Sequence, residues 1–439
     1  MHLLRSRLVA HGYIYDRITR PSIARGVSTI QRSEQTVVVV GQEEGDKRLT
    51  KVAELVHEQA VHVTFKDGAT AKFHKLWLRD HCCCEHCRHP KTRQRQVDTA
   101  SIPMNSPFHR CEVTNAGKAL VIDWDASVRG SPCTASTFEA EWLRTHAYAL
   151  EGGNAEDSAT VPYPVSYRQP RLTTKKLWAG DDFRLPTHAY KACVDDIEPV
   201  MRDLYSYGLV RVADSPSSME DTEKLATKMG FVLRTIYGTM WTTRPTEEAE
   251  TYNDTASSDQ ELLHHTDGTY MREPPGLQIF NCMAQAGTGG ESRYVDSFHV
   301  AETLRAEDPK AFRVLSTTML PYFTVDNDAH LATMEPLIRV DWAGNIVQFR
   351  HNDYDRAPLT HLSFAEVGEF YKAHRKLLEI MRRSGMEFCT KLQVGDTMIV
   401  DNQRVTHGRY AFHGGDRALI GCYIGQTEYE SRLRVLGII

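Results

Sequence analysis

His265-Thr266-Asp267 and the later His407-Gly408-Arg409 restrict the fold of this 439-residue chain more than any other feature. In an extended strand, positions i and i+2 face the same side, so His265 and Asp267 can grip one ion together. His407 lies far along the chain and joins them only if two distant strands open at the same mouth. A jelly-roll arrangement, in which antiparallel strands return repeatedly to one face, meets that demand. The expected fold is therefore mainly β with flanking helices: a double-stranded β-helix domain, preceded by a small β-rich domain.

Local patterns fill in this frame. Val61–Phe65 alternates, Lys66-Asp67-Gly68 makes a turn, and Ala69–Leu78 resumes a strand pattern. Further strands are expected at Cys111–Thr114 and Ala119–Trp124, and a helix over Phe138–Tyr148. The prolines at 162, 164, 170 and 186 mark residues 151–186 as a linker between a domain at 45–150 and another at 187–439. In the second domain, helices are expected at Asp196–Tyr207, His299–Arg305 and Phe364–Arg383, with strands at Leu209–Ala213 and Thr397–Val400. Ser217 and Glu220 fit a capping box ahead of a helix that runs through Met229.

Composition narrows the class. Hydrophobic content of 41% and charged content of 25% suit a globular protein, and a net charge of −5 argues against a nucleic-acid partner. The longest aliphatic run, Val37–Val40, is far too short to span a membrane. Residues 1–33 hold six arginines, four serines and a single acid, Asp16, which is the pattern of a mitochondrial presequence and predicts a matrix enzyme.

Two imidazoles and one carboxylate leave several coordination positions open, the ligand pattern of non-haem Fe(II) oxygenases. Arg417, ten residues after His407, adds a rigid bidentate fork suited to a dicarboxylate. Together they predict a 2-oxoglutarate site. His264 faces away from His265 in a strand, and it and His413 are read as non-ligands.

The segments Tyr237–Trp241, His265–Asp267, Pro275–Gln278, Gly287–Gly290, Arg350–Arg356 and Asp401–Arg409 resemble the family of Fe(II)/2-oxoglutarate oxygenases that contains the trimethyllysine and γ-butyrobetaine dioxygenases. The resemblance covers roughly residues 70–436. It implies that His265, Asp267 and His407 hold iron and that Arg417 anchors 2-oxoglutarate. It further implies Ser292 as a hydroxyl donor to that co-substrate, ascorbate as reductant, and a homodimer.

A trimethylammonium group offers no strong hydrogen-bond donor, so aromatic faces must hold it. Tyr237, Trp241 and Tyr423 are the expected walls of such a cage. Where the family has a further Tyr, this chain has Ser257, with Tyr252 nearby as a substitute wall. Asp254 suits the α-ammonium of N6-trimethyllysine and would repel a bare acid such as γ-butyrobetaine, while Asn352 would meet the substrate carboxylate. The leading expectation is C3 hydroxylation of N6-trimethyllysine, the first step of carnitine biosynthesis. The alternatives are γ-butyrobetaine hydroxylation and a non-catalytic module that binds trimethyllysine.

Cys82, Cys84 and Cys87 stand at metal-ligand spacing, and soft thiolates select zinc. Zinc-binding relatives place a His after the next strand; this chain has Cys133 there, chosen as the fourth ligand over His86, His89 and His146. Four protein ligands would close the site and make it structural, with Cys83 a bystander.

Overall fold

The computed structural model describes residues 47–148, 150–152, 174–243, 258–326 and 328–439. They form two compact units, divided between Thr160 and Val161. The expected leader at 1–33 lies outside the described residues, as does most of the expected linker.

In the first unit, β1 (Leu49–Leu55), β2 (Ala60–Phe65) and β3 (Thr70–His74) form an antiparallel ladder that leads into helix α1 (Lys75–Asp80). A second sheet holds β4 (Phe108–Thr114), β5 (Ala119–Trp124) and β6 (Ala135–Glu139), followed by α2 (Ala140–Thr145). The short β7 (Leu150–Glu151) returns to pair with β3. Alternation explains the burial: Val61, Val63 and Phe65 point into a core shared with Leu120, Ile122 and Phe138. Two expected elements change type. The strand pattern from Ala69 stops at His74 and becomes α1, and the expected helix from Phe138 begins only after β6. In both places apolar residues serve either period, and sheet pairing decides.

The second unit opens with β8 (Thr187–Ala189), α3 (Tyr190–Asp195), α4 (Glu198–Tyr207), β9 (Leu209–Ala213) and α5 (Met219–Met229). Gly208 ends α4 at φ +75°, a left-handed cap that needs no Cβ. The cap of α5 is Ser218, one residue later than expected; its hydroxyl accepts from Asp221 N at 3.0 Å. Next come β10 (Met240–Thr242), β11 (Leu262–His265), β12 (Leu277–Gly289), β13 (Ser292–Asp296), α6 (Ser297–Glu307) and α7 (Pro309–Thr317). Two hairpins follow, β14 (Leu320–Asp326) with β15 (Ala329–Glu335), and β16 (Ile338–Val340) with β17 (Ile346–Phe349). The chain then forms α8 (Phe364–Met381), β18 (Phe388–Thr390), β19 (Thr397–Asp401), β20 (Val405–Arg409), β21 (Phe412–Ile424) and α9 (Gln426–Val435).

Two sheets carry the site. The larger runs β10-β21-β12-β19-β9-β8 and the smaller β11-β20-β13-β18; every pair is antiparallel except β8 with β9. Met398 and Val400 of β19 point into a core with Val405 and Tyr294 of the smaller sheet. Ile399, between them, points outward to a second core with α4, α5 and α9. The same period of two puts Gln278 and Phe280, Ser292 and Tyr294, His407 and Arg409, and Arg417, Leu419 and Tyr423 at inner-face positions. Trp178 and Phe183, inside the span read as linker, are buried in the inner core, so residues 174–186 already belong to the second unit.

Candidate active site

β11 and β20 pair so that His265 sits opposite His407, and Asp267 follows in the loop beyond β11. Asp267 Oδ1 lies 3.3 Å from His265 Nε2 and 3.6 Å from His407 Nε2. Each of the three residues offers one ligand atom, all within 4.8 Å of one another.

Hydrogen bonds decide which atoms remain for an ion. His265 Nδ1 donates to Leu263 O at 2.7 Å, which leaves Nε2 as the ring nitrogen turned toward Asp267. Asp267 Oδ2 accepts from Tyr423 Oη at 2.8 Å and from the Gln278 amide, which leaves Oδ1 toward the imidazoles. Asn402 ties down the backbone: its Oδ1 accepts from Asp267 N at 2.8 Å, and its Nδ2 donates to Asp267 O at 3.0 Å. Burial opposes ionisation of Asp267, but His407 and His265 hold its carboxyl far below the usual range. Burial, then His265, keep His407 below its ordinary value. Burial, with the Asp267 carboxylate next, pushes the Tyr423 phenol well above its usual value and keeps it a donor. Two imidazole nitrogens and one free carboxylate oxygen on one side of a pocket suit an iron(II) ion with open positions.

Arg417 has no hydrogen-bond or ion-pair partner among the described residues; its guanidinium lies 5.8 Å from the Phe412 ring. Burial pulls it below its usual value. Arg409 shares its surroundings and is lowered to about 10, by burial first and then by Arg417. Arg409 Nη2 is held by Ser258 O and Gln260 O at 2.7 and 2.6 Å, so Arg417 is the buried cation left to meet an anion. Gly290, at φ +74°, packs tightly on Ala286 and Phe412, where a Cβ would lie 3.1 and 3.3 Å from their Cβ atoms, and lies beside Arg417. Ser292, two residues on, is buried opposite Arg409.

A cavity of about 440 Å³ adjoins this site, lined by Tyr237, Tyr270 and Tyr423 together with Met271 and Leu331. Tyr237 and Tyr270 share a hydroxyl contact at 3.3 Å. Trp241 is not among the lining residues: it lies flat over Gly421, with its ring 5.5 Å from Tyr423. Tyr270 is an aromatic wall that the sequence reading missed, although it sits only three residues after Asp267. Asn352 is turned into its own segment, its Nδ2 donating to Asp355 at 2.9 Å and its Oδ1 accepting from Tyr354 N at 3.0 Å. Asp254, Ser257 and Tyr252 lie outside the described residues. His264 faces Glu387 at 2.9 Å rather than the triad, and His413 lies at the exposed start of β21.

In the first unit, Cys82, Cys84, Cys87 and Cys133 converge with their ligand atoms within 4.8 Å of one another. Cys82 Sγ and Cys133 Sγ are 3.8 Å apart, far beyond a disulfide and close to the roughly 3.8 Å edge of a thiolate tetrahedron around zinc. The Cys133 contact lowers the Cys82 thiol to about 4, and the same contact, with burial next, pushes the Cys133 thiol up. Arg79, buried beneath, donates to Cys133 O at 2.8 Å and approaches Cys87 Sγ at 3.6 Å. Cys83 is exposed, His89 turns to its own loop, and His146 stacks on Trp142.

A family model described as "Taurine catabolism dioxygenase TauD, TfdA family" matches residues 173–423, and "Gamma-butyrobetaine hydroxylase-like, N-terminal" matches residues 54–144. The mitochondrial trimethyllysine dioxygenase of Rattus norvegicus is 32% identical over 87% of each chain. That of Meyerozyma guilliermondii is 30% identical over 86% of this chain and 94% of its own. The γ-butyrobetaine dioxygenase of Pseudomonas sp. (strain AK-1) is 30% identical over 86% of this chain and 93% of its own. Matches of this extent, on a chain whose two sheets bring His265, Asp267 and His407 together, establish that it belongs to the TauD/TfdA family of Fe(II)/2-oxoglutarate-dependent dioxygenases.

Proposed function

We propose that this chain hydroxylates N6-trimethyllysine at C3, the first step of carnitine biosynthesis. One observation carries the reading: Tyr423 lines the tyrosine cavity and also donates its hydroxyl to Asp267. A trimethylammonium held against Tyr237, Tyr270 and Tyr423 would therefore lie at a fixed remove from the triad. The trimethyllysine dioxygenases among the relatives support the same substrate.

In this reading His265 Nε2, Asp267 Oδ1 and His407 Nε2 hold Fe(II), and Arg417 takes the far carboxylate of 2-oxoglutarate, with Ser292 as a further donor. Bound iron and 2-oxoglutarate supply the dioxygen-derived oxidant, with succinate and carbon dioxide as co-products. The chain's part is placement. Gln278, Tyr423 and Asn402 keep Asp267 from rotating, and the tyrosines exclude water from the cation. Asp254 would meet the substrate's α-ammonium and Asn352 its carboxylate, once its amide leaves Asp355. Ascorbate would keep the iron reduced.

The distance between Cys82 and Cys133 supports a structural zinc ion held by Cys82, Cys84, Cys87 and Cys133. The Arg-rich leader, together with relatives named as mitochondrial, supports a mitochondrial and specifically matrix location. A homodimer rests on family resemblance.

The test is succinate formation with N6-trimethyllysine and γ-butyrobetaine side by side, under iron, ascorbate and 2-oxoglutarate. Faster turnover of trimethyllysine, with one oxygen added, is expected. Equal or faster turnover of γ-butyrobetaine would replace this reading with the other step of the pathway.

A further inference from the structure

Outside the triad and the cysteine cluster, the described residues hold a third convergence of ligand-type side chains: His351, Asp353 and His374, with their ligand atoms within 4.8 Å of one another. His351 and Asp353 follow β17, and His374 comes from the middle of α8. His351 is 4% exposed and His374 5% exposed, while Asp353 reaches toward solvent with 39% of its side chain accessible.

His374 is the informative member. Its Nε2 is buried and has no hydrogen-bond partner among the described residues, yet it is aimed at Asp353 Oδ1 from 3.6 Å. That is too far for a hydrogen bond and close for two atoms that face a common ion. The ring is held in this direction by stacking on Phe370, with centroids 5.3 Å apart, and the His351 ring stands 5.5 Å away. A buried ring nitrogen left without a partner calls for an occupant.

We propose that His351, Asp353 and His374 form a second divalent-metal site, for an ion of the zinc class, that pins the segment after β17 to α8. Two imidazoles and one carboxylate suit zinc and its neighbours rather than calcium or magnesium, which prefer oxygen donors. The exposed side of Asp353 gives the ion an entry path and leaves room for a water ligand. Arg356 Nε donates to Asp353 Oδ1 at 3.2 Å, the outer-sphere hydrogen bond that commonly orients a ligating carboxylate.

The position gives the site a consequence. Thr266, which separates His265 from Asp267, donates its N–H to His351 O at 2.7 Å, and His351 N donates to Thr266 Oγ1 at 3.1 Å. An ion on His351 therefore stiffens the peptide that carries two of the three triad residues. The same segment bears Asn352, whose release toward substrate the ion would restrain.

The test counts zinc. The full chain, stripped with chelator, reloaded with zinc and dialysed, is compared with Asp353→Ala and His374→Gln by elemental analysis and thermal unfolding. The triad and the cysteine cluster also take zinc, but neither substitution touches them, so their contribution cancels. Each variant is expected to retain about one zinc ion per chain fewer than the wild type and to lose part of the zinc-dependent rise in Tm. If His374→Gln fails to fold, Asp353→Ala decides, because its side chain is exposed. Equal zinc content in the wild type and Asp353→Ala would overturn the proposal.

Discussion

Tyr423 Oη lies 2.8 Å from Asp267 Oδ2, so one phenol both walls the tyrosine cavity and orients the carboxylate of the triad. Tyr423→Phe keeps the ring and removes the hydrogen bond. It is expected to weaken iron binding by roughly 10–100-fold, as losses of outer-sphere partners do, while KM for the cationic substrate changes far less. Iron titration beside substrate kinetics checks this. A large rise in substrate KM with unchanged iron affinity would give Tyr423 to the cage alone.

The buried ion pair of Arg404 and Asp296 holds the second unit together behind the site. Neither side chain is exposed, and Arg404 Nε and Nη2 donate to the carboxylate at 3.0 and 2.8 Å. Trp178 N and Phe298 N also donate to Asp296, so the end of β13, the start of α6, the turn before β20 and the segment before β8 meet at one carboxylate. Arg404→Met leaves that carboxylate short of its counter-charge. A loss of about 3–5 kcal/mol is expected, read as a drop of roughly 10 °C in Tm.

Much of this was legible in the sequence, for a physical reason. The i, i+2 rule brought His265 and Asp267 together, although only His265 lies in β11 and Asp267 follows in the loop; the same rule makes Arg417, Leu419 and Tyr423 share a face of β21. Legibility ended where strand register takes over. Gln278 reaches Asp267 only because β12 pairs with β21 at Gln278 and Tyr423, a match between strands far apart in sequence. The wall residue Tyr270 escaped notice because loop geometry carries no period. Trp241, four residues from Tyr237, is the expected paired wall; the pairing of β10 with β21 lays it over Gly421, with its ring 5.5 Å from Tyr423. Apolar runs that fit both periods explain the misplaced ends of α1 and α2.

Acid stability should depend on Glu387, which contacts His264, Arg293 and Tyr410. Burial opposes its ionisation, but His264 and Arg293 lower its carboxyl to about 2. A carboxyl depressed in the fold contributes stability that is fully present above its ordinary value, near 4.5, and is lost as pH falls through about 2. His264, held below its ordinary value mainly by burial, acts in the same direction: protonation of the unfolded chain begins to favour unfolding below about 6.5. Glu387→Gln should flatten the fall in urea midpoint between pH 4.5 and 2. An unchanged slope would contradict the assignment.

In the proposed zinc site of the first unit, Cys133→Ala removes one of the four thiolates. Zinc affinity should fall by more than the roughly 10–100-fold typical of outer-sphere changes, measured by competition with a chromogenic chelator. The same change at the exposed Cys83 should leave zinc binding intact.

The central claim is that His265, Asp267 and His407 hold the iron that couples 2-oxoglutarate to oxidation of trimethyllysine. Succinate release with N6-trimethyllysine present, compared between the wild type and a folded His407→Ala variant, tests it most directly. The account predicts substrate-stimulated succinate from the wild type and essentially none from the variant; near-normal release from His407→Ala would contradict it.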